Sequence, residues 1–143
     1  MPVIEIIVNK AVADKKTLAQ GITDLFSSEV RVPPGHVHTL IQDNQYFAFG
    51  NDVDKAAVYV KVRSSAQQIT AEARRTLVAE LIPVLSASLP DLDAYRVNTM
   101  FEELPVENIA VGAHIAVFGA PPATSSARNS LGGAGASGAV SPR

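Results

Sequence analysis

The sequence lacks residue types and patterns on which whole classes of protein depend. It contains no cysteine, which excludes disulfides, thiol nucleophiles and thiolate metal ligands. Aromatic residues make up 6% of the chain and the basic residues form no run, which argues against a nucleic-acid partner. The longest weakly polar stretch, 109–120, is shorter than the ~18 apolar residues of a membrane span. The first residues lack a basic leader, so we expect no signal peptide, no membrane partner and a cytoplasmic location.

Length and composition divide the chain into a folded unit and a tail. The 143 residues are enough for one domain, which we place at residues 1–119. Residues 120–143 are almost entirely alanine, glycine, serine, threonine and proline. Such a segment buries too little apolar surface to offset its ordering entropy, so we predict a disordered tail that acts as a spacer.

The folded unit contains the same pattern twice. Residues 3–8 are a β-branched apolar run typical of a strand, 14–29 have helical apolar spacing, and 37–43 predict a second strand. The pattern restarts with a strand at 57–62 and a helix that Thr70 can cap. Pro83 lies inside that helix and is expected to bend or interrupt it, and a fourth strand is predicted at 95–103.

The two halves match at the level of individual residues. Residues 38–43 can be laid over 98–103 without a gap, and each segment is followed by an apolar stretch that ends in glycine. The repeats therefore span about 2–51 and 57–113. This pattern predicts an α+β fold in which a tandem βαβ repeat forms a four-stranded mixed sheet, with both helices on one face.

The opposite face of the sheet has no cover within the chain. The segments 3–4, 6–8 and 58–60 offer apolar side chains in both directions, as strands that are buried on both faces do. An uncovered apolar face typically marks an interface, so we predict a homo-oligomer, with a closed trimer first. The alternative is that the face is only apolar and contacts no partner.

The repeat, together with the Met1-Pro2 start, resembles the tautomerase superfamily. Residues 31–37 (RVPPGHV) and 43–50 (DNQYFAFG) are similar to the macrophage migration inhibitory factor group. Residues 102–112 (EELPVENIAVG) are more similar to the 4-oxalocrotonate tautomerase group, and the two-repeat length matches the cis-3-chloroacrylic acid dehalogenase group. The resemblance implies the fold predicted above, a homotrimer, and a catalytic amino-terminal proline.

That proline would be Pro2, exposed as a secondary amine once Met1 is removed. Burial and nearby cations disfavour the protonated amine and lower its pKa toward neutrality. The neutral amine can then take a proton from the carbon beside a carbonyl and return it elsewhere, which is keto–enol tautomerisation. The alternative is that Pro2 only begins a strand, a position that tolerates proline.

A tautomerase also needs donors or cations that bind the substrate. Arg63 ends the third strand, which the family pattern places beside the proline, and Ser64 follows it. Arginine can bind a carboxylate through two parallel hydrogen bonds, so Arg63 is the preferred anchor. The alternative is a solvated arginine at a strand end. Arg31 is a second candidate, one residue before the family's lysine position.

Three further residues fall at positions that the resemblance marks as substrate-binding or pocket-forming. His38 lies where the 4-oxalocrotonate group has an arginine, and Asn98 is its equivalent in the second repeat. Phe47 is a candidate wall of the pocket. For His38 and Phe47 the alternative is ordinary packing.

The chain departs from the dehalogenase pattern at each water-activating position, where Phe26, Met100 and Val111 stand. We therefore predict no hydrolysis, no cofactor and no metal, since the three histidines lack ligand spacing. The predicted function is a cofactor-free isomerase that acts through Pro2 on a small carbonyl or carboxylate compound such as a 2-oxo acid. The alternative is a trimeric binding protein of the same fold that has lost efficient catalysis.

Overall fold

The computed structural model describes residues 1–115, and its main elements repeat one βαβ unit. The first unit contains β1 (Val3–Val8), α1 (Lys15–Val30) and β2 (His38–Gln42). The second contains β3 (Val58–Ser65), α2 (Ala71–Ser88) and β4 (Val97–Leu104), and a short hairpin of β5 (Ala110–Val111) and β6 (His114–Ile115) follows. The predicted tail, 120–143, lies outside the described residues.

The four long strands form one mixed sheet in the order β2-β1-β3-β4. The outer strands run parallel to their inner neighbours, and the two inner strands are antiparallel. The register confirms the gapless match of the repeats, because His38 pairs with Val3 as Asn98 pairs with Tyr59. The predicted α+β architecture is therefore confirmed.

The core lies between one face of this sheet and both helices. Alternate residues of the inner strands, such as Ile4, Ile6 and Val60, are fully buried there, as the two-residue period of a strand requires. Each helix contributes a stripe at three- and four-residue spacing that packs into the same cluster. The stripes consist of Leu18, Ile22 and Phe26 in α1 and of Leu77, Leu81 and Leu85 in α2.

The ends of the helices follow local capping chemistry. The Asp14 carboxylate accepts a hydrogen bond from the Thr17 N–H (2.9 Å), which satisfies one of the free donors in the first turn of α1. The Thr70 hydroxyl does the same for α2. The helix α1 ends at Arg31, whose φ of 57° is left-handed, a conformation usually taken by glycine.

The predicted interruption of α2 at Pro83 is wrong, because the helix continues through this residue to Ser88. Proline removes one backbone hydrogen bond, but Leu81 and Leu85 on either side of it are buried in the core. Tertiary packing of these neighbours holds the helix together across the proline. None of the helices within residues 1–115 is both long enough and apolar enough to cross a membrane.

The face of the sheet away from the helices is mixed rather than apolar throughout. Its side chains come from the alternate positions of the strands, and the apolar ones include the exposed Leu40 and Met100. Charged residues occupy the centre of the inner strands, where Glu5 pairs with Lys61 in register. We call this surface the open face; it consists of Val3, Glu5, Ile7, His38, Leu40, Gln42, Tyr59, Lys61, Arg63, Asn98, Met100 and Glu102.

We expect opposite effects from replacing arginine by glycine at two helix positions. Arg31→Gly should raise the free energy of unfolding by about 1 kcal/mol, because glycine adopts a positive φ without steric cost. Arg75→Gly, at an exposed position within α2, should lower it by about the same amount. Denaturant unfolding of both variants measures this, and destabilisation by both would contradict the capping role.

The Asp43 carboxylate joins the end of β2 to the chain after β1. It accepts a hydrogen bond from the Val12 N–H (3.0 Å) and pairs with Lys15 Nζ (3.0 Å). The Val12 hydrogen bond, followed by Lys15, lowers the pKa of Asp43. A lowered folded-state pKa stabilises the fold above the unfolded-state pKa, and this contribution is lost as the pH falls through the folded-state value.

Asp43→Asn should therefore destabilise the protein at pH 7 and make its stability less sensitive to acid. The comparison is Asp24→Asn, at an exposed position of α1. Thermal unfolding between pH 2 and pH 7 checks both expectations. Parallel pH curves for wild type and Asp43→Asn would show that this carboxylate does not contribute.

Candidate functional site

Pro2 lies immediately before β1, at the end of the sheet where β1 begins and β3 ends. Pro2 is buried, and its carbonyl accepts a hydrogen bond from the His38 backbone N–H (3.1 Å). Because Val3 pairs with Arg63 across the antiparallel ladder, the next position outward brings Pro2 beside Ser64. Proline has no N–H, so it fits this first strand position without losing a ladder hydrogen bond.

The chain terminus at Met1 is also held in place. Its ammonium donates a hydrogen bond to the side-chain oxygen of Gln68 (2.6 Å), and that oxygen also accepts from the Ser65 hydroxyl (3.0 Å). Burial lowers the pKa of the terminal amine, because a low-dielectric surrounding disfavours the charged form. The start of the chain is thus a partly buried amine with a polar neighbour.

Arg63 lies on the open face, where two carboxylates bind it. Its Nη1 is 2.5 Å from Glu5 Oε1, and its Nε is 2.9 Å from Glu102 Oε2. The hydrogen bond to Glu102, followed by the charge of Glu5, raises the pKa of Arg63, so the guanidinium is charged at any physiological pH. These carboxylates occupy nitrogens with which a bound anion would otherwise interact.

The structure places five predicted site residues, including Pro2 itself, at the Pro2 end of the sheet. Ser64 is 3% exposed and lies one residue from Arg63, whereas the side chain of His38 is exposed on the open face. Arg31 lies at this end because α1 returns the chain to the start of β2. Pro2, Arg63, Ser64 and His38 are thus neighbours in the sheet or in the sequence.

Asn98 and Phe47 lie at the other end of the open face. Asn98 pairs with Tyr59, which in turn pairs with Ile7, and Ile7 is four residues beyond Val3 along β1. At about 3.3 Å per residue this offset is ~13 Å. Within one chain, Asn98 and Phe47 therefore do not share a site with Pro2.

These two residues instead line a groove of about 490 Å³. Its walls are almost entirely apolar, and the Asn98 side chain supplies an amide. The Arg96 guanidinium covers the Phe49 ring at 5.1 Å and donates to the Ala56 carbonyl, which fixes one wall of the groove. The lining residues are Ile7, Phe47, Ala48, Phe49, Gly50, Val58, Tyr59 and Asn98.

The sequence analysis did not identify the polar partners of the chain terminus and of Arg63. Gln68 follows the end of β3 by three residues, and neither repeat nor spacing singled it out. Glu5 and Glu102 could have been found, because the strand alternation puts both on the same face as Arg63. Within residues 1–115, no cluster of three or more histidine, aspartate or glutamate side chains is arranged to hold a metal ion.

Comparison with known proteins finds similarity in structure but not in sequence. No family model matches the chain, and no curated protein matches it in sequence. Among solved structures, a macrophage migration inhibitory factor homologue from Prochlorococcus marinus has a TM-score of 0.71 and 20% identity, with 78% of this chain and 96% of that chain covered. The macrophage migration inhibitory factor of Toxoplasma gondii has a TM-score of 0.69 and 17% identity, with 78% and 97% covered.

A third similar structure is that of Pt0534 inactivated by 2-oxo-3-pentynoate, with a TM-score of 0.69, 17% identity, and 80% of this chain and 94% of that chain covered. At these identities the similarity concerns the arrangement of the backbone. The tandem βαβ repeat, the mixed sheet and the two helices on one face are common to all three comparisons. The chain therefore has the fold of the macrophage migration inhibitory factor and tautomerase proteins, as its sequence predicted.

Proposed function

We propose that this protein is a cofactor-free keto–enol tautomerase in which Pro2 is the general base. The observation that carries this proposal is the position of Pro2, which is buried immediately before β1 and lies beside the end of β3. An amine that is neutral at physiological pH can accept a proton from carbon. The tautomerase fold and the position of Pro2 at the start of β1 support the same conclusion.

The reaction follows from this geometry once Met1 has been removed. The lone pair of the Pro2 nitrogen takes a proton from the carbon next to the substrate carbonyl, and the electron pair of that C–H bond moves to form the enolate. The prolinium nitrogen then gives that proton to the enolate oxygen, which completes the enol and regenerates the neutral amine. In the reverse direction the enol loses its hydroxyl proton and carbon is protonated. No net redox change occurs, so no co-reactant is required.

The proposed substrate is a small 2-oxo acid or a related carbonyl compound. Arg63 is the cationic side chain nearest to Pro2 along the sheet, and the next residue, Ser64, is buried on the helix side of the sheet. A guanidinium stabilises both a carboxylate and a developing enolate oxygen. One protein of the same fold is inactivated by 2-oxo-3-pentynoate, itself a 2-oxo acid, which agrees with this substrate class.

We further propose that the working assembly is a homotrimer. Within one chain the open face is uncovered, and Asn98 and Phe47 lie ~13 Å from the Pro2 end. Packing of a neighbouring copy against the open face would bring its groove residues toward Pro2 and bury Leu40 and Met100. The cytoplasmic location inferred from the sequence stays a prediction.

One observation favours the second candidate function, a binding protein of this fold without efficient catalysis. Two nitrogens of Arg63 already bind Glu5 and Glu102, which together outweigh its charge. A weak anion anchor is compatible with ligand binding and would slow turnover.

The first test is the replacement of the proposed base. Pro2→Ala should lower kcat/KM for the ketonisation of phenylenolpyruvate by about 100-fold or more, the usual contribution of a general base. Pro90→Ala, in an exposed loop, is the matched control and should retain the wild-type rate. Intact mass must show that Met1 is absent, since a retained Met1 leaves Pro2 as an amide. Equal rates for Pro2→Ala and wild type would support the binding protein instead.

The second test concerns the carboxylates at Arg63. Glu102→Gln removes one negative charge beside the guanidinium and should lower KM for anionic 2-oxo acids by roughly two- to tenfold at low salt. Glu103→Gln changes the net charge equally but affects a carboxylate that pairs with Arg74, so its KM should stay near the wild-type value. The same KM change in both variants would show that Arg63 is not the anchor.

A further inference from the structure

A tight turn follows β3 and positions a side chain toward the chain terminus. The turn comprises residues 65–68, and the Gln68 N–H donates to the Ser65 carbonyl (3.1 Å) across it. The Ala66 N–H is bound by the Leu104 carbonyl at the end of β4 (2.9 Å), which ties the turn to the sheet. Gln67 has a φ of 64°, a conformation that disfavours residues with a Cβ atom. Such strain persists only where the surrounding structure holds it, and it is common at functional sites.

The orientation of the Gln68 amide is determined by its partners. An ammonium group can only donate hydrogen bonds, so the atom 2.6 Å from the Met1 nitrogen must be the amide oxygen. The Ser65 hydroxyl donates to the same oxygen (3.0 Å) and holds the side chain in place. The amide nitrogen of Gln68 is buried and has no hydrogen-bond partner among residues 1–115. The hydrogen bonds of this side chain to Met1 and Ser65 are therefore both made by its oxygen.

We propose that Gln68 is a positioning residue whose side-chain oxygen accepts a hydrogen bond from the terminal amine and thereby directs the Pro2 nitrogen toward the substrate. This inference rests on the proposed function. In the chain that begins at Met1 the bond goes to the Met1 nitrogen. After removal of Met1, Pro2 carries the terminal amine one residue closer to β1, and we expect a rotation of the Gln68 side chain to bring its oxygen to this amine.

The hydrogen count of the amine explains why an acceptor at this place is useful. A neutral proline nitrogen has one hydrogen and one lone pair, and a prolinium nitrogen has two hydrogens. If Gln68 binds one hydrogen in both states, the remaining position on nitrogen always faces the substrate. That position is the lone pair before proton abstraction and the transferable proton after it. The acceptor therefore orients the base without taking part in proton transfer.

Gln68 also counteracts the effect of burial on the amine. A hydrogen bond from a charged donor is stronger than one from a neutral donor, so this contact favours the protonated amine, whereas burial favours the neutral one. The charged and titratable groups on the elements around the terminus include His38 on β2, Glu5 on β1, Lys61 and Arg63 on β3, Glu102 and Glu103 on β4, and Glu72, Arg74 and Arg75 at the start of α2. Arg63 is paired with Glu5 and Glu102, and Arg74 with Glu103, so Gln68 provides the direct polar contact to the amine.

The experiment is a titration of the terminal amine by nitrogen NMR, on protein labelled with ¹⁵N-proline and lacking Met1. Gln68→Met keeps the length of the side chain and removes the acceptor, so the acid dissociation constant of the Pro2 amine should rise about tenfold. Gln68→Glu keeps an acceptor and adds a negative charge, so that constant should fall. Gln67→Met, an exposed neighbour with the same chemical change, is the control and should titrate like wild type.

Turnover provides a second measurement on the same variants. Gln68→Met should lower kcat with little change in KM, and Gln68→Glu should restore part of kcat at higher pH. Unchanged titration of Pro2 in both Gln68 variants would overturn this inference even if Pro2 is the base. An altered titration together with wild-type turnover of Pro2→Ala would instead contradict the proposed function and leave the amine contact of Gln68 intact. A variant that fails to fold is identified by its melting curve, and the other Gln68 variant then decides.

Discussion

The antiparallel pairing of β1 with β3 is the constraint on which the rest of the structure depends. It joins the two βαβ repeats into one sheet, and its register sets Val3 opposite Arg63. Through this register the first residues of the chain lie beside the end of β3 and the turn that follows it. The terminal amine consequently lies within hydrogen-bond distance of Gln68, a residue 67 positions away in sequence. A shift by one residue would exchange the two faces of β1 and bury Glu5 in the core.

The two faces of the sheet serve different purposes because the strand period assigns alternate residues to each. The buried residues of the inner strands are apolar except for Ser64 and Ser65 at the end of β3, and they supply the stability of the fold. The open side combines Val3, Ile7 and Tyr59 with the charges of Glu5, Lys61 and Arg63. An apolar surface alone would favour association without a fixed geometry. Paired charges within it favour one arrangement of a neighbouring surface, because unmatched charges are costly to bury.

Much of the fold could be predicted because it depends on local patterns. The strand at Val3–Val8 agrees with the sequence prediction, and α2 begins after its expected cap, Thr70. The first helix was predicted to start at Asp14, which is instead the cap of α1. The glycines that end the segments after β2 and β4, Gly50 and Gly112, both have positive φ values, which explains why glycine recurs there. The interruption considered at Pro83 does not occur, because a propensity argument does not include the buried leucines on either side of it.

The sequence by itself determined the repeat, the sheet with its helices on one face, and Pro2 as the residue at the start of the first strand. Periodicity and capping act over a few residues, so they can be read without knowledge of the fold. Only the tertiary structure decided what surrounds the chain terminus. It brings the Gln68 side-chain oxygen to the terminal amine and two carboxylates to Arg63. It also separates Asn98 and Phe47 from Pro2. These contacts join residues far apart in the chain, and their geometry depends on strand register and side-chain packing, which no local pattern specifies.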